Sequence, residues 1–168
     1  MGFNISRHMS SELIKLDMAL TVPEMPENGS RAKWMIRVKE GLLSELLGVL
    51  DPHSQIGNRK KLLLDFVNRE KKASTGIGEG FAVPHIRSMQ AKEFMIGFGR
   101  SREGYEYDAI DDAPVHFFFI MAAPPYDDAL YLKVFKALSE LIMFDGFAEK
   151  LMNAEEPYDI IRAIQELE

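Results

Sequence analysis

A chain of 168 residues, 46% hydrophobic and 27% charged, has the balance of a soluble globular domain with one substantial core. Its formal net charge of -6 argues against nucleic acid, whose phosphates need a basic face, and the absence of cysteine removes disulfide frameworks and thiolate metal sites. No run approaches the roughly 20 apolar residues of a membrane span and no secretory core follows the start, so a cytoplasmic protein without membrane insertion is expected.

In chain order, residues 1–10 carry little pattern and read as an N-terminal arm, an alternative start before Met9, or an expression remnant, leaving 11–168 as the domain. His8 is given no role. Leu13, Ile14, Leu16, Met18, Leu20 and Val22 predict a strand or short helix within Glu12 to Met25. Two prolines and an Asn-Gly pair break the chain over Pro23 to Ser30. Ser30 is an N-cap residue, and the apolar recurrence from Ala32 to Leu50 predicts a long amphipathic helix with Trp34 at its edge. A loop at Asp51-Pro52-His53-Ser54 precedes a second helix, expected from Asn58 to Asn68, whose basic start Arg59-Lys60-Lys61 reads as solvated. Arg69 closes that helix, where a cation suits the macrodipole.

The segment Ser74-Thr75-Gly76-Ile77-Gly78-Glu79-Gly80-Phe81-Ala82-Val83-Pro84-His85 is where chemistry is expected. Gly76, Gly78 and Gly80 can adopt positive φ and present bare N–H groups, so the run can cradle a phosphate. Phe81-Ala82-Val83 reads as a short buried strand, driven to extended geometry by Pro84 and ending at His85. An imidazole fixed there can attack phosphorus as a neutral nucleophile while its other nitrogen is held by a hydrogen bond.

The same run closely resembles the signature of the fructose/mannitol class of enzyme IIA in the bacterial sugar phosphotransferase system, a class that includes the nitrogen-regulatory enzyme IIA. The resemblance implies that His85 accepts a phosphoryl group from a phosphohistidine on HPr or an HPr-like carrier and passes it on. It also implies that Arg69, sixteen residues earlier, lies beside His85 and pairs with phosphoryl oxygens. Resemblance continues less sharply through Asp111 to Pro125 and the following helix. Many family members carry a second histidine at the start of that helix, and here Tyr131 stands in its place. A tyrosine donates a hydrogen bond to a phosphoryl oxygen but brings no imidazolium charge.

Beyond His85 the chain is expected to turn through Ile86-Arg87-Ser88 and form a strand at about Phe94 to Arg100, followed by a short edge strand or loop over Glu103 to Asp108. After a turn at Asp111-Asp112-Ala113-Pro114, the apolar run Val115 to Met121 predicts a strand covered on both faces, and Ala122 to Tyr126 a loop. His116 reads as structural. Helices follow at about Asp127 to Met143, Phe147 to Leu151 and Glu156 to Leu167. The fold class is α/β, a single-domain sandwich of a mixed β-sheet flanked by helices.

Competing motifs fail. The glycine spacing is neither G-x-G-x-x-G nor a P-loop, no G-x-S-x-G elbow exists, and Asp108, Asp111 and Asp112 read as a solvated turn. No metal and no cofactor are expected, since transfer between two imidazoles needs neither. Charge on the equatorial oxygens would be dispersed by Arg69, the Ser74 and Thr75 hydroxyls and the Gly76, Gly78 and Gly80 amides. Three roles stand side by side: a phosphoryl carrier with HPr and a IIB component or another protein as partners; a regulator whose partner contacts depend on phosphorylation; and a relative that keeps the fold without accepting phosphate. A chain without a fused IIB or membrane domain suits the regulator, while Tyr131 favours the third role.

Overall fold

The computed structural model describes residues 3–50 and 55–168, so the expected loop at Asp51–Ser54, with His53, lies outside the described residues. Among the described residues, five α-helices flank a mixed, open six-stranded sheet: β1 (Ile14–Lys15), β2 (Gly76–Gly78), β3 (Phe81–Ala82), β4 (His85–Arg87), β5 (Met95–Tyr105) and β6 (Val115–Ala123). The strands run in the order β1-β5-β6-β3-β2, with β4 also paired to β6. β5 and β6 are antiparallel, whereas β3 and β4 both run parallel to β6.

Alternation along β6 builds two cores. Phe117, Phe119 and Met121 face a cluster with α3 (Asp128–Ile142), α4 (Phe147–Asn153) and α5 (Pro157–Gln165). Phe118, Ile120 and Ala122 face the opposite cluster, with α1 (Arg31–Leu50) and α2 (Arg59–Lys72). Both faces of β6 are thus covered, which is why its sequence is continuously apolar. On α1, Met35, Leu42, Leu43, Leu46 and Leu50 are essentially inaccessible. Each such side chain contributes about 1.5–3 kcal/mol of burial, so the sheet face holds α1 in place.

Helix starts follow local chemistry. Ser30 Oγ accepts from Lys33 N ahead of α1, and Asn58 Oδ1 accepts from Lys61 N at 3.1 Å ahead of α2. The indole of Trp34 donates to Pro23 O at 2.6 Å, pinning the proline-rich break to the edge of α1.

Several expectations need correction. α2 continues to Lys72 instead of ending at Asn68, because Arg69 to Lys72 are good helix formers that add no apolar signal, so Arg69 sits inside its last turn. Ile86 and Arg87 form β4 and not a turn, because the Pro84 carbonyl accepts from Met121 N at 2.9 Å and carries the pairing with β6 across the missing N–H. β5 runs on to Tyr105 through an irregularity after Arg100, with Gly104 at φ 86°. β6 extends through Ala123. Only a 3-10 turn (Ser11–Leu13) and the two residues of β1 are regular between Glu12 and Met25. The N-terminal stretch is packed, with Ile5 fully buried and Met9 nearly so against the α3–α5 cluster.

One buried cation ties the last helices to the sheet. Arg100, 1% exposed on β5, donates to the carbonyls of Leu151 (3.0 Å), Met152 (3.2 Å) and Ala154 (2.6 Å), and to Leu16 O at 3.0 Å. It satisfies the orphan carbonyls at the end of α4.

Candidate phosphoryl-accepting site

Phe81, Val83, His85 and Arg87 point to one face because side chains alternate along an extended chain, and that face meets α3. His85 is half-buried at the start of β4. Its Nδ1 lies 2.6 Å from Val83 O. A carbonyl only accepts, so Nδ1 carries the proton and Nε2 keeps its lone pair. The ring is 5.9 Å from that of Tyr131 and 5.1 Å, edge-on, from that of Phe135, both on α3. Arg87 follows on the same face, its guanidinium carbon 5.3 Å from the Tyr131 ring centre.

Electrostatics keep this imidazole neutral. Burial lowers the His85 pKa from 6.5; the Val83 carbonyl bond opposes that, the positive charge of Arg69 adds to the lowering, and Glu70 opposes it. Burial likewise raises the Tyr131 hydroxyl, while the nearby charges of Arg87 and Arg69 pull it down. Arg69, Arg87, His85 and Tyr131 therefore share one electrostatic neighbourhood. Arg69 is held in the last turn of α2 by donation from Nη1 to Ala73 O at 2.8 Å.

The remaining expected site residues fall elsewhere. Thr75 is 2% exposed, and its hydroxyl donates to the Glu70 carboxylate, so it has no bond left for a phosphoryl oxygen. Ser74 Oγ donates to Tyr107 O at 2.9 Å and accepts from Gly76 N at 3.1 Å. The glycines build a hairpin instead of a cradle. Gly76 is paired with Ala82, its backbone packed so closely on Ala109 that an added Cβ would lie 2.8 Å from Ala109 Cα. Gly78 and Gly80 have φ of 94° and 84° and turn the chain into β3, and the N–H of the intervening Glu79 is taken by Asp111 Oδ2 at 3.0 Å. Gly80 O accepts from His116 and Phe117, whereas His85 is level with Met121. Four residues of β6 separate the two levels, about 13 Å at the usual strand rise, so Gly78 and Gly80 do not reach the imidazole.

His116 Nδ1 is 2.9 Å from Ser101 O, at the hairpin end and away from His85. Among the described residues no His, Cys, Asp and Glu cluster is placed to hold a metal ion, and no helix is long and apolar enough to cross a membrane. Three site residues escaped the sequence reading: Phe135, whose i+4 spacing from Tyr131 shows only a core stripe; Arg87, two residues past the histidine and so on its face; and Glu70, one residue after the arginine.

Comparison with known proteins identifies the family of the chain. Residues 32–167 match the family model described as phosphoenolpyruvate-dependent sugar phosphotransferase system, EIIA 2. The PTS system fructose-specific EIIABC component of Bacillus subtilis (strain 168) is 34% identical over 128 residues, which make up 76% of this chain but 20% of that protein. The PTS system fructose-specific EIIA component of Haloferax volcanii is 32% identical over 117 residues, 70% of this chain and 76% of that one. The crystal structure of nitrogen regulatory protein IIA-Ntr from Neisseria meningitidis superposes with a TM-score of 0.77 at 26% identity, covering 95% of this chain and 98% of that one.

Proposed function

The chain belongs to the phosphoenolpyruvate-dependent sugar phosphotransferase system EIIA 2 family, and within it we propose that this protein carries a phosphoryl group on His85 Nε2. The donor is a phosphohistidine on HPr or an HPr-like carrier. As Nε2 attacks in line, the Nε2–P bond forms and the donor's P–N bond breaks, the electron pair returning to the donor imidazole. Only the phosphoryl group crosses.

The observation that carries this reading is the 2.6 Å contact between His85 Nδ1 and Val83 O, which fixes one tautomer and leaves the lone pair on Nε2. Lowering of the imidazole pKa keeps that lone pair unprotonated at neutral pH. Arg69 supplies positive charge for the equatorial oxygens, and the Tyr131 hydroxyl supplies a donor. The aromatic wall of Tyr131 and Phe135 limits water around the ring.

The test is transfer of labelled phosphate from phosphoenolpyruvate through enzyme I and HPr in the cytoplasmic system that this family serves. Wild type should gain one acid-labile phosphate, and His85→Gln none. A folded wild type that takes no label would leave the third role, a fold without phosphate acceptance.

A regulatory output is supported by the likeness to nitrogen regulatory protein IIA-Ntr, whose structure superposes with a TM-score of 0.77 at 26% identity. In that role the added negative charge at His85 alters a protein contact; in a transport role a IIB component takes the phosphate. Pull-downs with phosphorylated and unphosphorylated protein separate the two.

A further inference from the structure

Behind His85, on the side away from α3, lies a polar network within the core. Lys39 of α1 and Glu70 of α2 form an ion pair at 3.1 Å, their side chains 4% and 1% exposed. Glu70 Oε1 also accepts from Thr75 N at 3.1 Å, and Oε2 accepts from Thr75 Oγ1. Tyr107 closes the group: its hydroxyl lies 3.4 Å from Thr75 Oγ1, and Lys39 Nζ sits 4.6 Å above its ring.

Such a pair is weak evidence for stability, since desolvating two charges offsets most of their attraction and an apolar pair of similar volume is often as good. Its connections lead instead to the imidazole. Thr75 O accepts from Val83 N at 3.0 Å, and Val83 O accepts from His85 Nδ1. Glu70 is also the neighbour of Arg69. With Glu70 anchored inward, the last turn of α2 is fixed in rotation, and Arg69 is turned to the outer face where it bonds Ala73 O.

We propose that the buried Lys39–Glu70 pair, through Thr75, is a positioning device that sets the His85 tautomer and holds Arg69 in register with it. Neither side chain touches the phosphoryl group. This rests on the proposed phosphoryl transfer at His85 for its kinetic consequence, but the tautomer is a property of the resting protein. Glu70 also opposes the lowering of the His85 pKa by burial and by Arg69, the direction expected of a negative charge.

The experiment removes the pair together, as Lys39→Met with Glu70→Met, which strands no buried charge and leaves Thr75 no acceptor at that position. Thr75→Val and Thr75→Ser test the link separately. In the folded double variant, nitrogen-15 shifts of the His85 ring should move from a single Nδ1–H tautomer to a mixture, and phosphoryl uptake should slow about tenfold to a hundredfold at unchanged KM for HPr, as loss of alignment predicts. Thr75→Val should reproduce the effect in part and Thr75→Ser should restore wild-type behaviour. A folded double variant with the wild-type tautomer and rate overturns the proposal, as does Thr75→Ser behaving like Thr75→Val. If the double variant does not fold, the two Thr75 variants decide by the same readouts. Wild type that takes no phosphate sinks the transfer reading alone, because the tautomer shift still decides the positioning role.

Discussion

One glycine-to-histidine segment has two ends that do different work. At the Gly78–Gly80 end, positive φ angles and the Asp111 carboxylate shape a hairpin whose backbone bonds are spent on β6 and on the preceding loop. At the His85 end, a proline interrupts the ladder, a carbonyl takes the Nδ1 proton, and the other nitrogen is left with its lone pair among α3 aromatics and Arg69. Residues contiguous in sequence are thus divided between shaping a turn and holding the proposed phosphoryl acceptor, and about 13 Å of strand lies between them.

The largest test of that division is His85→Ala, which should abolish phosphate uptake while leaving the circular dichroism spectrum and Tm close to wild type. Arg69→Ala comes next. Loss of one preorganised charge should slow transfer about 10²–10³-fold, read in single-turnover label transfer, and the His85 pKa should rise because the Arg69 charge lowers it. Changes at the glycine end should do the reverse. Gly80→Ala puts a side chain on a residue at φ 84°, and Gly76→Ala drives a methyl into Ala109. Each should cost about 1–3 kcal/mol, seen as a fall in Tm of roughly 2–4 °C per kcal/mol in a chain of this size, with the transfer rate of the folded fraction unchanged.

The smallest effect is a pH dependence. His85 has a folded pKa below 6.5, so the unfolded chain takes the proton first. Stability should therefore be level above pH 6.5 and decline as pH falls from there through the lowered folded value. Urea midpoints should show this decline in wild type and less of it in His85→Gln. Phosphate uptake should fall over the same acid range as Nε2 becomes protonated. A wild-type profile that rises on acidification would place the His85 pKa on the wrong side.

Much of this molecule was legible from periodicity and punctuation. The stripe of α1, the cap Ser30, the start of α2 near Asn58, the doubly covered β6 and the helices of the last third follow from apolar spacing and from breaks at Pro and Gly. His85, Arg69 and Tyr131 were singled out by type and spacing, and the fold brings them into one neighbourhood. What was not legible depends on partners distant in sequence. Glu70 lies between Arg69 and two lysines and reads as a solvated helix end until Lys39, 31 residues earlier, is seen against it. Thr75 reads as a phosphate ligand in the sequence because nothing local reveals that its hydroxyl is taken by Glu70. The glycine run misled for a related reason: alternating glycines fit an anion nest and a tight hairpin equally, and only the register on β6 distinguishes them.

Arg100 has a consequence for how the protein comes apart. Its guanidinium grips three carbonyls at the end of α4 from the middle of β5, level with Phe117 on the strand that also seats His85. Peeling the C-terminal third away would strip Arg100 of those three carbonyls and leave it only Leu16 O and the Asp17 carboxylate, so partial melting from that side is opposed. Heating should therefore erase the C-terminal helices and the competence of the imidazole in one cooperative step, with amide exchange at Leu151 and at Met121 slowing to the same limit.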